Sequence, residues 1–484
     1  MFIPMEVKLE RGKASFQPSK WKKHCMYRVP WCLRGRGNDN DFRPRLVSIG
    51  PYHYADPQLH DMQFHKERML DCILKRTGKD ISEFYDAIKD LEHEARACYE
   101  DLPETSFPSE DFMNMLVLDG CFMLEFLVGC YEKSHYSELG YEKEDPIFSK
   151  LYMCYGILMD MILIENQIPL FILNQIYEVQ SGYPHNDKVT DLMFEAFNPF
   201  WVIGRVPKSE NGEKRILSTF RLDINGRNMP RSCLEAFWQN LMYDCTVSDE
   251  WIKRIPGRGN QDSMQVRLER RMAFAERDFG RRPAMESMRA QGNEGNEEAE
   301  RKKRIGDEPM IIMDLKQHVI RSVIALKEAG VIFKHKNTPP FWDVKFDLKS
   351  GVLEIPQIMI AEWSKSMFLN LMAFELRHIE EENQKILSYI LFMDSLVNFA
   401  ADVDELRACG AIVSTGMNDK EIADVFNHLG RNPVIIPFSH QDLIKQIYKY
   451  CSKRIHRWRA NLMHNYFHNP WAIISVIAAA LTEN

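Results

Sequence analysis

The sequence predicts a mainly α, two-lobed helical protein with a small antiparallel β-hairpin element in its C-terminal half. Three observations carry that expectation. Apolar residues recur every three or four positions through most of the chain, the signature of helices with one buried face. Strand-like alternation is confined to the stretch around Val331–Ile360. The 484 residues are 45% hydrophobic and 11% aromatic, enough to bury one large or two medium cores.

In Asp80–Glu100, Ile81, Phe84, Ile88, Leu91, Ala95 and Cys98 form one stripe, with Asp86, Lys89, Asp90 and Glu94 off it. Ser109 is read as the N-cap of the next helix, which carries Phe112, Met115, Leu116, Met123 and Phe126, with Glu110 and Asp111 favouring its dipole. Leu151–Val179 is apolar enough to suggest a membrane span, but Asp160, Glu165, Asn166, Gln167 and Pro169 lie inside it. Each acidic group near a bilayer centre costs roughly 2.5–3.5 kcal/mol on insertion scales, so a buried core helix breaking near Pro169 is expected.

Further on, Asp314–Ala329 has helical spacing through Leu315, Val319, Val323 and Leu326, with Gly330 placed to cap it. VIFKH alternates like a strand, and Val344–Phe346 and Val352–Ile355 flank DLKSG as a hairpin would. Helices follow at Ser364–Arg377, Tyr389–Leu406, Asn418–Asn427 and His440–Phe467. No fixed-period repeat appears. The domain reading is an N-terminal extension at 1–20, an N-terminal helical lobe at 21–203, a variable insert at 204–309, a C-terminal lobe with the hairpin at 310–468, and a short hydrophobic tail at 469–484. Within the insert, 281–304 is charged and poor in large aliphatics. It cannot bury enough apolar area to offset its ordering entropy, so it is expected to be disordered.

Composition excludes some function classes. The net charge is −7, which disfavours a general nucleic-acid binder. Eleven cysteines are scattered without a CxxC pair, so neither a zinc site nor a disulfide framework is indicated and reduced, mostly buried thiols are expected. His464 and His468 share a helical face but lack further metal ligands, and His53, His60 and His65 are irregularly spaced. RGRGND and PGRGNQ extend to neither a dinucleotide fingerprint nor a P-loop. No GxSxG elbow or kinase set occurs. The N-terminus has no apolar secretory core, so the cytosolic side of a cell is the default. The basic run Arg301–Arg304 is diluted by Glu294, Glu297, Glu298 and Glu300 and reads as a solvated linker. Expected, then, are no catalytic residues, cofactor, metal or small-molecule ligand.

Asp119, Asp160 and Glu165 stand out as acids among apolar residues. Burial could raise one of them for acid–base work. Alternatively they pair with Arg28, Arg34 or Arg96 and fix helix register, which is favoured because no nucleophile or cofactor loop accompanies them. Asn166 and Gln167 before Pro169 are placed to bond backbone groups that the proline releases.

Several stretches stand in a characteristic order: MYRVPWCLR at Met26–Arg34, FRPRLVSIGPYH at Phe42–His53, LDGCF at Leu118–Phe122, IENQIP at Ile164–Pro169, DVKFDLKSGVLEIP at Asp343–Pro356, and NPWAIISVIAA from Asn469. Together they resemble the plant family of unknown function called DUF247 or UPF0481. The resemblance marks Arg28, Pro30, Gly50, Pro51, Tyr52, Asp119, Gly120, Asp160, Glu165, Asn166, Gln167 and Pro169 as motif residues, read as structural. It implies a mostly helical plant protein, commonly ending in a hydrophobic C-terminal anchor, with some relatives implicated in self-incompatibility and others in development or stress. A recognition or signalling protein acting through unidentified protein partners is therefore expected. An enzyme with a buried acidic site and a membrane-peripheral adaptor are the alternatives. Met62-Gln63 and Leu369 depart from the family pattern and remove possible ion-pair partners. Trp471–Leu481 is about half of the roughly 20 apolar residues that span a bilayer. A soluble variant, a truncated gene product and a tail docking on a partner remain open, and at most peripheral membrane contact through 471–481 is expected.

Overall fold

The computed structural model describes residues 24–34, 39–102, 107–131, 136–137, 139–184, 188–197, 230–243, 320–336, 340–430 and 440–453. The expectations for 1–20, 281–304, Arg301–Arg304, His464, His468 and the tail at 469–484 fall outside them, as do both glycine pairs weighed as phosphate loops. The chain divides into two compact units, Met1–Pro256 with Glu362–Leu387, and Gly257–Ala361 with Ser388–Asn484. A piece of the C-terminal half, Glu362–Leu387, thus belongs to the unit built mostly from the N-terminal half.

The described part of the first unit is helical. It contains α1 (Asp61–Thr77), α2 (Ile81–Ile88), α3 (Glu92–Ala97), α4 (Ser109–Tyr131), α5 (Leu151–Met161), α6 (Leu170–Ser181), α7 (Lys188–Phe197) and α8 (Cys233–Tyr243). Helix α4 is its centre. Phe112, Leu116, Phe122, Met123, Phe126 and Leu127 are fully enclosed, and Gly120 lets α6 approach so closely that an added Cβ would lie 2.3 Å from Ile176 Cδ1. Helix α4 is long and apolar enough to cross a membrane, and it is largely buried inside this unit. Helix α8 lies in the stretch expected as a variable insert, yet Leu234, Ala236 and Phe237 are buried.

The periodicity located the helices within 80–131 and 151–181 but gave none at α1, α7 or α8, and of the interruptions only the one near Pro169 was expected. The single helix expected over Asp80–Glu100 is broken by a 3-10 turn at Lys89–Leu91. Its start is as expected for an acidic N-cap: Asp80 accepts from Ser82 N, and Glu83 Oε1 accepts from Asp80 N at 3.0 Å. Ser109 is the first helical residue of α4 and not its cap, because its hydroxyl donates to Glu92 Oε2 at 2.6 Å. The apolar run from Leu151 is two helices separated by an irregular stretch from Ile162 to Pro169.

The second unit contains α9 (Val323–Glu328), strands β1 (Ile332–Lys336), β2 (Lys345–Asp347), β3 (Val352–Pro356) and β4 (Ile358–Ile360), and later β5 (Ile412–Ser414). Helix α10 (Ser364–His378) lies in the first unit. Helix α11 (Lys385–Leu396) contains the boundary between units, and α12 (Ala400–Ala408), α13 (Asp419–Leu429) and α14 (Gln441–Cys451) complete the second. The expected hairpin is β2–β3, antiparallel with Phe346 opposite Leu353. The β element is larger than that hairpin: β1 pairs parallel with β3, and β4 pairs parallel with β5 as a second small sheet. Gly351, the last residue of DLKSG, adopts φ +71° in the hairpin loop. Gly330 follows α9 at φ +97°, as foreseen, but Ile320–Ser322 are not helical, so α9 is shorter than the pattern implied. The helix expected over Tyr389–Leu406 is bent by 110° between α11 and α12.

Candidate functional site

Several motif residues of the first unit converge on one irregular, partly buried segment, Arg45–Gly50, which has no strand beside it among the described residues. Buried backbone N–H and C=O groups need partners, and here side chains from four directions supply them. Asp160, at the end of α5, accepts from the backbone N–H of Arg45, Leu46 and Val47 at 2.7–3.1 Å. Asn166 accepts from Ile49 N at 2.7 Å through Oδ1, and its amide donates to Val47 O at 3.0 Å. Asp119 on α4 accepts from Gly50 N at 2.8 Å and is ion-paired with Lys66 on α1. Lys66 also donates to Ser48 O at 2.6 Å. The motif side chains thus do for this segment what a neighbouring strand would do in a sheet.

The break between α5 and α6 is held the same way. Asn166 Nδ2 donates to Asp160 O at 2.9 Å, and Gln167 Nε2 donates to Met161 O and Leu163 O at 2.7 and 2.8 Å. Asp160 and Met161 are in the last turn of α5 and Leu163 is in the break itself, where a carbonyl lacks the partner that a continuing helix would supply. Gln167 Oε1 accepts from Leu234 N at 3.0 Å, which covers one free N–H at the start of α8. Pro169 then enters α6 at φ −61°. Gly50 closes the arrangement. Its φ is +77°, and a Cβ there would stand 2.3 Å from Gln167 O.

Glu165 gathers the first motif. It accepts from Val29 N at 2.8 Å and pairs with Arg34, while Arg28 lies 3.9 Å away and His53 Nε2 3.8 Å away. Pro30 opens the helical turn Trp31–Arg34 that presents Arg34, its carbonyl accepting from Leu33 N and Arg34 N. Pro51 begins the 3-10 turn that carries Tyr52 and His53. The Arg28 guanidinium lies 3.9 Å from the Tyr52 ring centroid, and the Tyr52 hydroxyl is placed to donate to Glu100 O or Met26 O.

Asp119, Asp160 and Glu165 are 2%, 3% and 4% exposed. Burial pushes the Asp160 carboxyl up to about 6, opposed by its three backbone hydrogen bonds, and raises Asp119 against the pull of Lys66. Burial lowers His53. An acid near 6 has the acidity for proton transfer, but both Asp160 oxygens are taken by backbone amides. The pocket formed by Glu92, His93, Arg96 and Ser109 contains none of these acids. Among the described residues no three His, Cys, Asp or Glu side chains are gathered as metal ligands would be. Of the arginines considered as partners, Arg34 meets Glu165. Arg96 instead pairs with Glu92 and donates to Phe107 O.

Residues 26–482 match the DUF247 family, described as plant protein of unknown function. The chain belongs to this family. Among curated DUF247-type relatives, it is 28% identical to UPF0481 protein At3g47200 of Arabidopsis thaliana, over 94% of this chain and 83% of the relative. It is 24% identical to the Putative UPF0481 protein At3g02645 of the same plant, over 94% of this chain and 87% of that one. No solved structure matches it.

Two buried residues of this DUF247 chain with the same habit escaped the sequence reading. Asn370 on α10 accepts from Ile164 N at 2.9 Å and donates to Asp41 O at 3.1 Å. Glu375, fully buried on the same helix, accepts from Trp238 Nε1, Ile386 N and Leu387 N, and burial pushes it up to about 7. Both lie in NLMAFE (370–375), where an Asn and a Glu enclosing four apolar residues were the available signal. Lys66 gave no signal, since a lone lysine in a helix reads as solvent-facing.

Proposed function

We propose that this protein is a non-catalytic recognition protein that acts through protein–protein contacts, with its motif residues serving as internal scaffold. The supporting observation is the use to which the motif acids are put. The oxygens of Asp119, Asp160 and Glu165 face backbone N–H groups and cations inside a closed cluster. A reacting substrate would have to displace those partners and leave buried amides unsatisfied. With the interior committed to holding backbone, specificity falls to exposed loops and to the stretch at 204–309, because loops on a rigid scaffold diversify most readily. Self-recognition, development and stress are the processes to which this reading attaches.

The test exchanges the stretch between Tyr243 and Ile320 for that of a relative and compares the partners recovered by cross-linking in plant tissue. A changed partner set at an unchanged melting temperature is expected. The enzyme reading would instead gain if Asp160→Asn abolished a defined turnover while leaving the melting temperature where it was.

A further inference from the structure

Cys25 and Cys98 lie side by side where the first motif meets the end of α3. Met26 and Tyr99 form a parallel β-bridge, with Met26 N donating to Cys98 O at 2.9 Å and Glu100 N to Met26 O at 3.0 Å. Just before that bridge, Cys98 is the residue that caps the end of α3, and Cys25 N also donates to Cys98 O at 2.9 Å. The backbone bond holds the two residues next to each other and their thiols hydrogen-bond directly, so little backbone movement separates them from the roughly 4.4–6.8 Å between Cα atoms that a disulfide spans. Both thiols are free and buried. The Cys25 thiol is raised by its side-chain hydrogen bond to Cys98, and the same bond lowers Cys98. The Arg231 guanidinium favours the thiolate of both. The Cys98 thiol in turn is placed to donate to Glu94 O at 3.4 Å.

We propose that Cys25 and Cys98 are a redox pair that closes to a disulfide when the protein meets a hydroperoxide. The Cys98 sulfur attacks the peroxide oxygen, breaking the O–O bond, and becomes a sulfenic acid as one water leaves. The Cys25 sulfur then displaces the sulfenic oxygen as a second water. Two thiols lose two electrons and two protons, and hydrogen peroxide is reduced to two waters. The bond fastens the segment bearing Arg28 and Val29, which meets Glu165, to the end of α3. The closed form therefore holds the first motif in place, and the open form leaves it on backbone bonds and the Arg34–Glu165 pair. Because both sulfurs are buried, closure proceeds through local opening of this edge.

The test treats the purified full chain with graded hydrogen peroxide, blocks remaining thiols with iodoacetamide and digests it without reductant, using trypsin with a glutamyl endopeptidase. The expected product is His24–Arg28 joined to Ala97–Glu100, formed ahead of any other cysteine linkage and reversed by dithiothreitol. Oxidation should also raise the melting temperature of the wild type and slow amide exchange at Val29, and Cys25→Ser should abolish both effects. Oxidation that takes Cys25 and Cys98 to sulfinic acids, or links them indiscriminately to other cysteines, overturns the proposal. The peptide map of the wild type decides this even if the serine variant fails to fold.

Discussion

Two buried aspartates in this protein stand beside helix breaks, and they work over different ranges. Asp160 ends α5 and reaches across 113 to 115 residues to the amides of Arg45, Leu46 and Val47. Asp402 sits in the first turn of α12 and mostly turns back on itself, accepting from Asn398 N and Phe399 N at 3.1 and 3.0 Å. Among the described residues its distant partner is Ile324 N at 3.0 Å. The second break is therefore stabilised by its own sequence, as a helix N-terminus with an acid at its third position. The Asp160 carboxylate instead serves amides of the Arg45–Gly50 segment, so its bonds form only with the tertiary fold, while the break beside it is held by Asn166 and Gln167.

The largest loss is expected at Lys66, whose long-range pair with Asp119 supports the same segment. Lys66→Met leaves Asp119 charged and buried beneath Gly50, and a loss of about 3–5 kcal/mol is expected from urea unfolding. Asp160→Ala should cost about 3 kcal/mol by the same measurement, because buried amides at Leu46 and Val47 lose their acceptor. Asp160→Asn should cost less, since one oxygen remains.

Glu375 sharpens the contrast through pH. Its folded value near 7 lies above its ordinary 4.5, so between those values the folded state holds more proton than the unfolded one. Stability is fully present below about pH 4.5 and falls as pH rises toward 7, by at most about 3 kcal/mol. A wild-type melting curve that declines over this window, beside a flatter one for Glu375→Gln, is the expected result. The smallest effect belongs to the local break: Asp402→Ala should cost about 1–2 kcal/mol. An Asp402→Ala loss matching that of Asp160→Ala would erase the proposed difference between short and long range.

What was legible in the sequence follows the same division. Helix α13 was placed almost to the residue, and the structure gives the local reason: Asn418 and Glu421 form a capping box within four positions. The β2–β3 hairpin was legible because its two strands flank one short loop. The interruptions at Lys89–Leu91 and between α11 and α12 were not, since neither contains proline and apolar spacing continues through both. The parallel pairing of β4 with β5 was hidden because its partners lie far apart in sequence.

The sequence by itself determined a helical protein of the DUF247 family, the positions of most helices, and which polar residues were out of place in apolar surroundings. Such facts are local: a 3.6-residue period, a cap or a charged residue in an apolar run needs no partner to be noticed. Only the tertiary structure decided whom those residues serve. Asp160 and Asn166 could have held a substrate, an arginine or a backbone, and the difference lies in whether buried amides from another segment come within about 3 Å. No residue near Asp160 in sequence encodes the approach of Arg45, because packing of the surrounding helices brings them together and the cost of leaving those amides unpaired then holds them there.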